Sequence, residues 1–106
     1  LKVDLPRSPP PAKQMRPEEL TRRIHHGERI VVVDGRSEGD RQSKPLEFAR
    51  ALDADLMVEL EDADRKTPLV FVCNQGISSR DVAEHYRRQG FTEVYNLEGG
   101  TDRLLG

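Results

Sequence analysis

At 106 residues the chain has the size of one domain. Apolar residues make up 35% and charged residues 34%, which limits the core and leaves part of the chain outside it. A net charge of −2, with two Tyr, three Phe and no Trp, excludes both the basic footprint and the stacking platform of a nucleic-acid binder.

The single cysteine excludes an internal disulfide framework and a cysteine zinc site, and argues for reducing, cytoplasmic surroundings. No run is long enough to cross a bilayer, and the opening LKVDLPRSPPP has no apolar signal segment. No cofactor and no membrane partner are expected. The absent initiator methionine suggests a piece of a longer chain.

Residues 1–14 read as a linker, because Pro6, Pro9, Pro10 and Pro11 favour a semi-rigid extended backbone. The domain is expected over 15–106. Pro17 suits the first turn of a helix, Glu18 and Glu19 favour its positive end, Leu20 and Ile24 share a face, and Gly27 stops it. RIVVVDG follows, a β-branched run fit for a parallel strand buried on both faces. The polar stretch from Gly35 to Pro45 breaks regular structure. PLEFARALDADLMVELEDAD then places Leu46, Ala49, Leu52, Leu56 and Leu60 at roughly helical intervals, predicting one or two helices with a break near Asp53.

Pro68 opens a second apolar strand, PLVFVC. The loop NQGIS leads into a helix from about Ser79 through Gln89, with Val82, Ala83 and Tyr86 as its apolar stripe and Gly90 as its stop. EVYNL is the third strand, EGG closes it, and TDRLL forms a short helical tail. Strands alternating with helices predict an α/β fold with a parallel sheet, and no internal repeat is visible.

Cys73 ends a strand and faces a helix entrance, where ligands of open α/β sheets bind. Gly76 allows successive N–H groups to face one concavity, and the helix start adds unpaired N–H groups and the positive end of its dipole. Ser78 and Asp81 have capping-box spacing. Such surroundings favour a thiolate and an anionic substrate group. Unpaired cysteine is also among the most buried residue types, so a purely structural Cys73 stays open on these grounds.

The segment PLVFVCNQGISSRDVAEHYRRQGFTEVYNLEGGTDRL closely resembles the C-terminal half of rhodanese domains. In that family an apolar strand ends in the active cysteine, a loop with Gly three residues on wraps it, and a helix follows. GFTEVYNLEGG resembles the family's G-F-x-x-V-Y-x-L-x-G-G, and IVVVDGR resembles its strand ending in D-x-R, which places Asp34 and Arg36 in supporting roles. The likeness covers about residues 15 to 104, loosely between 37 and 60. The proline-containing lead-in, KQM before the helix start PEEL, and VYNLEGG also resemble rhodanese modules that follow a glutaredoxin domain in bacterial fusion proteins.

The resemblance implies a rhodanese-like three-layer α/β/α fold around a parallel sheet. It also implies a sulfurtransferase that carries sulfane sulfur as a persulfide on Cys73, with Asn74, Gln75, Gly76, Ile77, Ser78, Ser79 and Arg80 wrapping the substrate. The implied donor is thiosulfate, a polysulfide or glutathione persulfide. The implied acceptor is a thiol such as glutathione or a glutaredoxin- or thioredoxin-like domain, because no second cysteine is present to resolve the persulfide.

Two departures qualify this. The family's loop is C-x-x-x-x-R, but Ser78 stands where its arginine belongs, so weak use of thiosulfate is expected. SKPLEFARALD lacks the usual Gly-His-Ile segment. These departures motivate the alternative of a non-catalytic interaction or regulatory module. Phosphatases and arsenate reductases of related fold use C-x-x-x-x-x-R, which Arg80 misses by one position. His25 and His26, His85 and the acidic run ELEDAD (59–64) are expected to be solvated surface.

Overall fold

The computed structural model describes residues 12–105. In chain order the elements are β1 (Lys13–Met15), α1 (Pro17–His25), β2 (Val31–Asp34), α2 (Glu38–Ser43), β3 (Ala49–Ala51), α3 (Ala54–Asp62), β4 (Leu69–Val72), α4 (Ser79–Arg88), β5 (Val94–Leu97) and α5 (Gly100–Leu105). The strands form one parallel sheet in the order β1-β5-β4-β2-β3.

Strand pleating divides the apolar residues between two faces. Leu69 and Phe71 of β4 join Val33, Val94, Leu56, Leu60, Ala83 and Tyr86 under α3 and α4. Val70 and Val72 point the other way, where they meet Val32, Leu97, Met15 and Leu20, with Leu104 of α5 beside them. All four residues of β4 are buried, as expected for a central strand covered on both sides. The result is the three-layer α/β/α arrangement.

The strand order also locates a crevice. From β2 the chain moves outward to β3, passing Leu46 on the α1 and α5 face. From β4 it moves outward to β5 through α4 on the opposite face. The two connections diverge at the carboxyl ends of β2 and β4, which is the switch point where α/β sheets bind ligands. Asp34 ends one strand and Cys73 follows the other.

Several expectations change. Residues 49–51 form a strand and not a helix: Ala49 pairs with Val32 and Ala51 with Asp34, satisfying the otherwise open edge of β2. The helical spacing of Leu46, Ala49 and Leu52 is coincidental. The break at Asp53 is real, since its side chain accepts the Leu56 N–H at 2.9 Å and caps α3. The stretch 35–45 holds α2, capped by Ser37, which accepts from the Asp40 N–H at 3.2 Å. That helix buries no residue, so it has no apolar stripe to read.

The expected linker 1–14 also gives up residues to the sheet. Lys13 and Gln14 pair with Tyr95 and Asn96 as the edge strand β1. Residues 1–11 of that linker lie outside the described residues. Among the described residues, no helix is long and apolar enough to cross a membrane.

Candidate active site

Cys73 is brought to the switch point by β4 and held there through its own main chain. The Thr101 N–H donates to the Cys73 carbonyl at 2.9 Å, and the Asp102 N–H donates to the Asn74 carbonyl at 2.9 Å. The EGG turn therefore anchors the back of the cysteine loop. Gly76, at φ +78°, turns the loop over the sulfur. A Cβ there would stand 2.7 Å from the Leu97 carbonyl oxygen, so only glycine fits.

The sulfur lies inside this turn, 4% exposed. The N–H groups of Gly76 and Ser79 reach it at 3.1 and 3.4 Å, and the Ser79 hydroxyl lies 3.1 Å away. Burial pushes the Cys73 thiol up. The Ser78 hydroxyl and the N–H groups of Ser79 and Gly76 oppose it and hold the pKa below the ordinary thiol value. The N–H groups of Asn74, Gln75, Ile77 and Ser78 meet no acceptor among the described residues and remain for a ligand.

Above the sulfur is an open depression of about 470 Å³, walled by Arg36 and Ser37 on one side and Asn74, Gln75, Ile77 and Ser78 on the other. Arg36 is the one cation on this wall among the described residues, and it is already engaged. Its guanidinium grips the Asp34 carboxylate (3.0, 3.2 and 2.8 Å) and the Lys44 carbonyl at 2.7 Å. Asp40 of α2 accepts from the Asn74 amide at 3.1 Å, so a carboxylate also stands at the rim. That bond, followed by the one from Ser37, lowers the Asp40 pKa. Ile77 crowns the rim, 62% exposed.

The expected site residues thus separate. Asn74, Gln75, Ile77 and Ser78 line the depression, while Gly76 and Ser79 wrap the sulfur beneath it. Arg80 does neither. Its Nε donates to the Gly76 carbonyl at 3.1 Å from behind the loop, and its side chain borders a different hollow with Gln14, Glu84, Asn96 and Glu98. The capping box is also absent. Ser78 is helical itself (φ −67°, ψ −27°), its side chain caps nothing, and it lines the depression above the sulfur. Asp34 and Arg36 form a buried pair that ties the end of β2 to the segment before β3.

His25, His26 and His85 are exposed, as are the carboxylates of ELEDAD, and no cluster of metal-binding side chains occurs among the described residues.

Asn96 was not foreseen. It is fully buried in β5 and donates to the Gly76 carbonyl at 2.8 Å and to Gln14 at 3.1 Å, while the Ser79 hydroxyl donates to its Oδ1. The signal was available: a polar amide inside the apolar run VYNL must find partners when both sheet faces are covered.

The family model for the rhodanese-like domain matches residues 16–105. A thiosulfate sulfurtransferase GlpE of Coxiella burnetii is 40% identical over 72 residues, 67% of each chain. Another GlpE, of Pseudomonas paraeruginosa, is 33% identical over 92 residues, covering 83% of this chain and 79% of its own. The rhodanese-like domain protein of Staphylococcus aureus superposes with a TM-score of 0.73 at 22% identity, over 87% of this chain and 90% of that one.

Proposed function

Since the chain belongs to the rhodanese-like domain family of sulfurtransferases, we propose that it carries sulfane sulfur as a persulfide on Cys73. The observation that carries this reading is a thiol inside a turn that offers N–H groups both to its sulfur and to the space above it.

In the first half-reaction the Cys73 thiolate attacks the outer sulfur of a donor. The new Sγ–S bond forms as the donor's S–S bond breaks, and its electron pair leaves with sulfite, a thiolate or a shortened polysulfide. The Cys73 persulfide keeps one negative charge on its outer sulfur. The unpaired N–H groups of Asn74, Gln75, Ile77 and Ser78 are placed to stabilise it. In the second half-reaction an acceptor thiolate attacks that sulfur and Cys73 departs as thiolate. This covalent scheme predicts ping-pong kinetics.

The loop favours a singly charged or extended donor over thiosulfate. Ser78 replaces a cation, Arg36 is spent on Asp34, and Asp40 adds negative charge at the rim. Ile77 gives the body of a larger donor or acceptor an apolar contact. Glutathione persulfide or a polysulfide fits this as donor, and glutathione or a thioredoxin-like protein fits as acceptor.

Mass spectrometry after incubation with thiosulfate, a polysulfide or glutathione persulfide should find one added sulfur on Cys73 and none on Cys73→Ala. Absence of the adduct with every donor would leave a docking module as the better reading.

A further inference from the structure

Ser79 has one hydroxyl proton and two neighbours that compete for it. One is the Cys73 sulfur at 3.1 Å and the other is Oδ1 of Asn96. The orientation of the Asn96 amide decides between them. Its Nδ2 lies 2.8 Å from the Gly76 carbonyl oxygen, a main-chain acceptor that cannot donate or turn over. Reversing the amide would set two oxygens against each other in a site with no exposure to water. Oδ1 must therefore face Ser79, and Ser79 must donate to it. What Ser79 then shows to the sulfur is a lone pair. A thiol can donate to that lone pair, whereas a thiolate is repelled by it.

We propose that Asn96 is a positioning residue that claims the Ser79 hydroxyl proton and thereby favours the Cys73 thiol over the thiolate in the sulfur-free protein. The thiolate then relies on the Gly76 and Ser79 N–H groups and the Ser78 hydroxyl alone. Its consequence for transfer rests on the persulfide reading above. Loading moves the charge from Sγ, which faces the Ser79 lone pair, to the outer sulfur among the free amides. The network thus disfavours the empty thiolate and favours the loaded form.

Other charges near the loop are settled elsewhere. Arg36 is held by Asp34, Asp40 by Asn74, and Arg80 turns its Nε to Gly76. Glu84 and Glu98 border the hollow behind Asn96, and the Asp102 side chain on α5 is exposed. Gln14 and Asn96 are neutral.

The test is the pKa of Cys73, read from thiolate ultraviolet absorbance against pH in the intact chain. Asn96→Leu frees the Ser79 hydroxyl and should lower the pKa by about one, giving roughly tenfold more thiolate below it. Ser79→Ala removes only an oxygen, should fold even if Asn96→Leu does not, and should leave the pKa unraised. In the Ser79→Ala background, Asn96→Leu should have no further effect. A rise in Ser79→Ala would overturn the proposal, because it would mean that the hydroxyl donates to the thiolate. So would an unchanged pKa in Asn96→Leu, or a shift that persists without Ser79. The titration uses no sulfur donor, so its outcome is separate from whether Cys73 accepts sulfur.

Discussion

Gly100 lies against the main chain of Cys73 so closely that a Cβ on Gly100 would stand 2.2 Å from the Cys73 carbonyl oxygen. The same glycine has φ +62° and begins the turn whose next two N–H groups bond the carbonyls of Cys73 and Asn74. Gly100→Ala must therefore push the cysteine loop away or leave the left-handed region. It should cost about 2 kcal/mol or more in urea denaturation and abolish persulfide formation. Wild-type loading in a stable Gly100→Ala protein would refute this account of the anchor.

The Asp34–Arg36 pair is a structural tie by the same logic. Both side chains are almost fully buried, and the guanidinium makes a forked contact that lysine cannot copy. Asp34→Ala strands a buried cation and should cost about 3–5 kcal/mol by chemical denaturation. Arg36→Lys should remain well below wild type. Replacing both by apolar residues of similar volume should cost less than Asp34→Ala alone.

The Cys73 thiol, held below its ordinary value by the donors of its loop, sets a pH profile. With the pKa lowered, the reactive thiolate gains population as pH rises through it and loses it as pH falls below. Alkylation of Cys73 by iodoacetamide should follow this curve and level off above it. Ser78→Ala removes the hydroxyl that opposes burial most strongly, so the midpoint should move up by about one. A midpoint that stays in place would show that the main-chain N–H groups act alone.

Donor choice should respond to position 78. Ser78→Arg restores a cation to a wall whose other cation is engaged. It should raise kcat/KM for thiosulfate by about tenfold or more and for a polysulfide by much less, because the sulfonate oxygens of thiosulfate accept charge-assisted hydrogen bonds from a guanidinium and a polysulfide has no such oxygens. Equal gains for both donors would count against electrostatic selection at this wall.

Much of this arrangement could be read from local pattern. β2 and β4 were legible as a β-branched run and an apolar run, and Pro17, Glu18 and Glu19 marked the start of α1. The loop of Cys73, its glycine and the following helix were legible because each element needs particular residues at adjacent positions. The edge strands were not. β1 and β3 are three residues each, and an edge facing solvent imposes little apolar pattern. α2 escaped for the related reason that it buries nothing.

The direction of side chains escaped as well. Arg80 stands two residues beyond Ser78 and was expected at the substrate, yet its position on α4 sends it behind the loop to Gly76. Spacing specifies which residues are near a turn, not the side of it on which they emerge.

From sequence came the cysteine, its loop and the serine in place of the family's arginine, because these depend on residue identities close together in the chain. Only folding could join Gln14, Gly76, Ser79 and Asn96 into one hydrogen-bonded network beside the sulfur, since they come from β1, the cysteine loop, the start of α4 and β5, and pairing of β1 with β5 sets two of them side by side. A buried hydroxyl proton goes to the acceptor that geometry puts beside it, and composition has no record of that geometry.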